Sequence, residues 1–154
     1  MQNLKSDISD RELVFSRLLD APVKLVWEVW SIPDHIKHWW GPAGFTNTIK
    51  KMDVRLGGEW NLIMHGPDGT DYDIKNVFTE IVEHKKIVLE QIGNFKCTST
   101  IEFESRGDKT FLCWRMLFES REYLIEVAKL YGVDTGLKQN VERLNQYLLQ
   151  FHHE

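Results

Sequence analysis

The stretch CTSTIEFESRGDKTFLCWRMLF, Cys97 to Phe118, reads as two strands folded about Gly107-Asp108. Glycine accepts the positive φ that a two-residue hairpin loop requires, so the chain is expected to reverse there. Closing the hairpin at that loop opposes Phe103 to Leu112, Ile101 to Trp114, Ser99 to Met116 and Cys97 to Phe118. One face is then almost wholly apolar. The other opposes Glu104 to Phe111, Glu102 to Cys113 and Thr100 to Arg115, a mixed set suited to water. A slip of one residue would send every side chain to the opposite face, so this clean sorting fixes the register. The same register puts Cys97 and Cys113 on opposite faces and about five residues apart, roughly 16 Å along the strands. A disulfide cannot span that distance, and free thiols are expected.

Working outward, the alternation persists upstream. After Gly57-Gly58, Trp60, Leu62 and Met64 alternate with Glu59, Asn61 and Ile63, and Met52 and Val54 share the even-numbered side. Turn signals at 56–58, 66–69, 83–85, 93–94 and 106–108 divide the middle of the chain into six strands, near 45–55, 59–65, 71–81, 86–92, 96–105 and 109–118. Connections this short imply an antiparallel meander. On the N-terminal side, residues 12–19 (ELVFSRLL) read as one more strand. Asp20-Ala21-Pro22 then starts a helix whose apolar face is Val23, Val26, Trp27 and Trp30. Pro33 opens a second short helix with Ile36, Trp39 and Trp40 on one side, stopped by Gly41-Pro42. The C-terminal segment returns to helical spacing at Tyr123, Val127 and Leu130, then at Leu137, Val141, Leu144, Leu148 and Phe151, with a bend or loop expected at 131–136 around Gly132 and Gly136.

The expected architecture is therefore α+β: a strand, two short helices, a six-strand meander and a long helix whose apolar stripe covers the concave face of the sheet. At 154 residues the chain fits one domain, placed at 11–154 behind a flexible segment at 1–10. A net charge of -4, with both signs interspersed, offers no basic stripe for nucleic acid. No apolar run is long enough for a membrane span, and the first ten residues lack the apolar core of a signal peptide, so a cytoplasmic protein is expected.

The order of elements resembles the helix-grip fold of the START and birch-pollen-allergen (SRPBCC) superfamily. Local motifs narrow the resemblance. Asp20-Ala21-Pro22 leading to Val26-Trp27, Trp39-Trp40-Gly41-Pro42 with Gly44-Phe45-Thr46, Gly57-Gly58-Glu59-Trp60 and 65–70 (HGPDGT) look like bacterial proteins related to the C-terminal domain of the activator of heat-shock-protein-90 ATPase. The ending Gly136 through Gln139, Glu142-Arg143-Leu144 and Tyr147-Leu148 is also similar, so the likeness spans roughly residues 11–150. It implies a cavity between sheet and long helix, with the short helices near one end, and it transfers no catalytic set. Function must be argued from the site.

The inward set is bulky at Trp60, Trp114 and Phe118 but small at Ser99 and Cys97, which favours a hollow over a solid core. A space of at least about 300 Å³ is expected there. Trp39, Trp40, Trp60, Met64, Ser99, Trp114, Met116 and Phe118 are its candidate ligand-binding residues, with solid core packing as the alternative for the same side chains. Two adjacent indoles on one short helix cannot both point deep in the same direction. Glu90 and Gln91 are adjacent in an apolar strand, so one of them faces inward and would orient a ligand.

Other polar features are read as structural. His35 and His38 lie one turn apart beside Asp34 but have no Cys or third His nearby, so no metal is expected. His65 to Gly69 (HGPDG) is a turn, and Asp71 and Asp73 are solvated strand carboxylates. No catalytic triad, phosphate loop or dinucleotide fingerprint occurs, and no cofactor is expected. The expected partner is a small apolar or aromatic molecule, with no nucleic acid and no membrane. A co-chaperone-like interaction module or homodimer, and a cofactor-independent cyclase-type enzyme, are the alternatives.

Overall fold

The structure, a computed structural model, describes residues 10–151. The flexible segment expected at 1–10 lies outside them except for Asp10. The elements are β1 (Glu12–Leu19), α1 (Val23–Ser31), α2 (Pro33–Ile36), β2 (Thr46–Met52), β3 (Glu59–His65), β4 (Asp71–Val82), β5 (Lys86–Gln91), β6 (Cys97–Arg106), β7 (Lys109–Leu117), α3 (Arg121–Tyr131) and α4 (Val133–Leu149). One antiparallel sheet contains all seven strands in the order β1-β7-β6-β5-β4-β3-β2.

Strands β2 to β7 form the meander, each paired with its sequence neighbour, because tight turns let consecutive antiparallel strands bond directly. β1 is the exception. It pairs with β7, so the chain must leave β1 and cross the sheet through α1 and α2 before β2 begins at the far edge. The deciding hairpin has the expected register: Ser99 faces Met116, Ile101 faces Trp114 and Phe103 faces Leu112. Arg115 lies on the outer side and donates to Glu102 at 3.0 Å.

The apolar face recurs across neighbouring strands, with Phe78, Leu89, Ser99 and Met116 opposed in sequence from β4 to β7. Against it pack Val26, Trp27, Val29 and Trp30 of α1, and Leu137, Val141, Leu144 and Leu148 of α4. The C-terminal helical segment is two helices rather than one bent helix. Gly132, at φ 64°, ends α3 in the left-handed conformation, which glycine adopts without strain. Leu130, two residues before that glycine, is 67% exposed and does not join the apolar stripe expected of it. The second short helix closes after one turn at Ile36, and residues 37–39 continue as turns.

The junction of β1 with α1 is tied to two distant elements. Asp20 accepts from Lys109 Nζ at 2.9 Å and from Asn145 Nδ2 at 3.1 Å, while its backbone N–H donates to Asn145 Oδ1 at 2.9 Å. The hydrogen bond from Lys109, then that from Asn145, holds the Asp20 carboxyl below its ordinary value. A depressed carboxylate pKa stabilises the fold above the unfolded value, and the contribution is lost as pH falls through the folded one. Asp20→Asn should therefore lower the thermal midpoint at pH 7, and the gap from the parent should shrink as the pH falls through the ordinary carboxylate range and below it.

Both cysteines are free thiols. Burial pushes the Cys97 thiol up to about 12, whereas Cys113 is half-buried on the outer face. Because the thiolate is the reactive form, an alkylating reagent at pH 8 should label Cys113 first and reach Cys97 only on unfolding, as read by intact mass.

Candidate binding site

A cavity lies between the concave face of the sheet and the start of α4. Its floor carries Met64 of β3, Ile74 and Asn76 of β4, Leu89 and Gln91 of β5, Ser99 of β6, and Trp114 and Met116 of β7. Its roof is Trp40, Gly41, Pro42 and Phe45 from the loop before β2, with Gly136, Leu137 and Asn140 from α4. Tyr72, Asn94, Phe95, Tyr131 and Val133 complete the lining at the more exposed end. There the Tyr131 ring lies 5.2 Å from that of Phe95 and 6.2 Å from that of Tyr72, and its hydroxyl donates to Asn94 Oδ1 at 3.4 Å.

The roof is held by one guanidinium. Arg143 of α4 donates through Nη1 to the carbonyls of Trp40, Gly41 and Pro42 at 3.1, 3.0 and 2.8 Å. Through Nη2 it donates to those of His38 and Phe45 at 3.2 and 3.1 Å. A loop that curls around one point turns its carbonyls inward, and only a forked cation has donors enough to meet them. Burial lowers the Arg143 pKa from its ordinary value. One turn earlier on α4, Asn140 Nδ2 donates to Trp39 O at 3.0 Å and Gln139 Oε1 accepts from Ala43 N at 3.1 Å. Gly136 lets helix and loop approach closely, since a Cβ there would lie 3.1 Å from Pro42 Cγ.

So held, Trp40 turns its indole onto the sheet. Its ring stacks on Trp114 at 5.4 Å and 26°, and meets Trp60 edge-on at 4.7 Å. Trp39 points the other way: it is fully buried, 4.9 Å from the Trp30 ring, and its N–H donates to Val29 O at 3.1 Å. The adjacent indoles thus divide between core and cavity.

Of the eight residues expected to bind a ligand, Trp40, Met64, Ser99, Trp114 and Met116 line the cavity. Trp39, Trp60 and Phe118 do not. They are 0%, 1% and 1% exposed, and lie behind the lining because neighbouring rings cover them: Trp30 covers Trp39, Trp40 and Phe78 cover Trp60, and Phe95 and Tyr123 cover Phe118. The cavity measures about 140 Å³, smaller than the roughly 300 Å³ expected. Alternation of large and small side chains located the hollow but gave no hint that a roof residue would swing down and fill one end.

Between Glu90 and Gln91, Gln91 faces the cavity and Glu90 is exposed. Asn76 and Asn140 are polar lining residues that sequence reasoning did not single out. Their signal was an amide at an inward position of an apolar strand and of an apolar helix stripe. The lining contains no Asp, Glu, Lys, Arg or His among the described residues, and Tyr72 and Tyr131 are its titratable side chains.

The other polar features fall elsewhere. His35 Nδ1 is 2.8 Å from the Tyr147 hydroxyl, and His38 stacks on the Tyr147 ring at 5.9 Å. His65 bridges Thr48 at 2.8 Å and Asp71 at 2.7 Å. That chain of hydroxyl, imidazole and carboxylate resembles a nucleophile array on paper. It lies on the solvated outer face, with Thr48 and Asp71 exposed, and ties β2 to the β3–β4 hairpin.

The family model described as Activator of Hsp90 ATPase homolog 1-like protein matches residues 20–149. No curated protein is similar enough to count as a match. Among solved structures, one from Arthrobacter aurescens superposes with a TM-score of 0.85 at 23% identity, covering 94% of each chain. One from Mycobacterium smegmatis gives 0.84 at 24%, covering 93% of this chain and 94% of its own. One from Nitrosomonas europaea gives 0.82 at 22%, covering 92% and 96%. At these identities the likeness is one of fold.

Replacing Arg143 tests the clasp. Arg143→Ala should destabilise the protein by about 2–3 kcal/mol in urea titration, because several carbonyls lose a charged donor at once. Arg143→Lys should recover little of this, since an ammonium presents its donors from one point. Full recovery by lysine would mean that charge, not the fork, holds the loop.

Proposed function

Since the chain belongs to the family of Activator of Hsp90 ATPase homolog 1-like proteins, a scaffold that does not dictate activity, we propose that it binds a small apolar or aromatic molecule in the cavity under α4. The observation that carries this reading is the cavity itself: indole, phenol and thioether walls with a few amides among them, the usual composition of a small-molecule site. An enclosed apolar space of about 150 Å³ accepts a benzene ring, so the volume here suits a ligand whose buried part is one ring. Trp40, Met64, Ser99, Trp114 and Met116 are its proposed contacts. Trp39, Trp60 and Phe118 act behind them, by holding the wall in place.

A cyclase-type enzyme would need an inward acid or base with a shifted pKa. The lining has no titratable side chain apart from two tyrosines, which weighs toward binding without chemistry. The family's namesake favours a second reading, a protein-interaction module, and Ile125 and Leu130 on α3, 44% and 67% exposed, are the apolar side chains it would use. No helix among the described residues is long and apolar enough to cross a membrane.

An apolar fluorescent probe should bind saturably and quench tryptophan emission. Trp114→Ala should change its affinity several-fold, and Arg115→Ala, on the outer face, should leave it unaltered. Ser99→Leu should fill the hollow and abolish binding while the protein stays folded by circular dichroism. Undiminished binding to a folded Ser99→Leu protein would put the probe outside the cavity and sink this reading.

A further inference from the structure

The polarity of the cavity narrows its ligand further, on the premise that the binding reading above holds. A charged molecule entering would shed its water and meet no counter-charge among the described lining residues. The polar groups it would meet are amides, and their orientation is fixed by the backbone. Asn76 Nδ2 donates to Trp60 O at 3.3 Å, Asn140 Nδ2 to Trp39 O at 3.0 Å, and Gln91 Nε2 to Gly93 O at 3.1 Å. Only the NH2 end of an amide can face a carbonyl oxygen, so in each case the oxygen is the end left over.

Asn76 and Asn140 are 3% and 6% exposed, yet neither amide oxygen is among the sealed unpartnered atoms. The space those oxygens face is the cavity they line. Asn76 and Gln91 are directly opposed across β4 and β5, which sets two acceptors side by side on the floor, while Asn140 supplies one from the roof. Nearby, the stacked indoles of Trp40 and Trp114 form an aromatic wall.

We propose that the cavity takes an uncharged molecule with one aromatic ring bearing an O–H or N–H donor, as phenols and anilines do, and that Asn76 and Gln91 accept its hydrogen bond. The ring fills the volume between the indoles and Leu137. The donor takes the place of water against those amide oxygens.

Four probes of one-ring size separate the possibilities by calorimetry on the full chain: phenol, anisole, toluene and benzoate. Phenol should bind more tightly than anisole by roughly five-fold or more, although anisole has the larger apolar surface. Toluene should bind, and benzoate should show no saturable heat. In Gln91→Leu the advantage of phenol over anisole should fall at least two-fold with toluene affinity retained. The side-chain amide resonances of Asn76 and Gln91 in the parent protein should shift with phenol and not with toluene, a readout independent of the variant's folding. Equal affinity for phenol and anisole, or binding of benzoate as tight as phenol, would overturn this proposal and leave the cavity-binding reading standing. Binding of none of the four would overturn both. A phenol preference that Gln91→Leu leaves intact, with no amide shifts, would remove Asn76 and Gln91 from the acceptor role and overturn the assignment.

Discussion

The guanidinium of Arg143 is the point about which the upper half of the molecule is organised. Five carbonyls between His38 and Phe45 converge on it. Without that forked donor several of them would lose their charged partner, and leaving a buried carbonyl unpaired costs about 1–3 kcal/mol. The loop could not then curl as it does. Its curl sets the direction of Trp40, and Trp40 sets where the aromatic core ends and the cavity begins. Asn47 reinforces the same loop from the sheet side, donating to the carbonyls of Lys37 and Trp40 at 3.0 and 2.9 Å.

Beneath that loop the protein concentrates its tryptophans. Trp30, Trp39, Trp40, Trp60 and Trp114 touch one another mainly edge to face, an arrangement the ring quadrupole favours. The cluster has a cost, because the N–H groups of Trp30, Trp60 and Trp114 are buried without a hydrogen-bond partner. Large rigid rings with unpaired donors are a poor way to fill a core to uniform density. They leave a firm wall on one side and, beside the short side chains of Ser99 and Asn76, a gap. Cavity and cluster are thus two consequences of one choice of side chains.

That gap is polar in a directed way. Three amides turn their NH2 ends to backbone carbonyls and leave oxygens toward the space. An acceptor-lined, uncharged, ring-sized hollow differs in kind from the solvated carboxylates and histidines of the outer face, where His65, Asp71, Lys50 and Asp73 pair across open strands. The chemistry of the molecule is divided by the sheet: ionisable pairs outside, amides and aromatic rings inside.

The sequence by itself determined where the strands lie and, for the hairpin from Cys97 to Phe118, the register and which face is apolar. A period of two allows one alignment there that separates apolar from polar side chains. The sequence also located the hollow on the Ser99 face and named Trp40, Met64, Trp114 and Met116 among its walls. Tertiary structure decided what spacing cannot encode. Leu130 stands outside the apolar stripe, exposed in the last turn before Gly132 ends α3. Trp39 and Trp40 parted because a residue about a hundred positions away gathers the carbonyls around them. The amides of Asn76, Gln91 and Asn140 are oriented by the backbone oxygens of Trp60, Gly93 and Trp39, which take their N–H groups. Periodicity reports the side of an element on which a residue stands, since that follows from local backbone geometry. The direction in which its polar atoms point depends on partners brought near by folding, and these are distant in the chain.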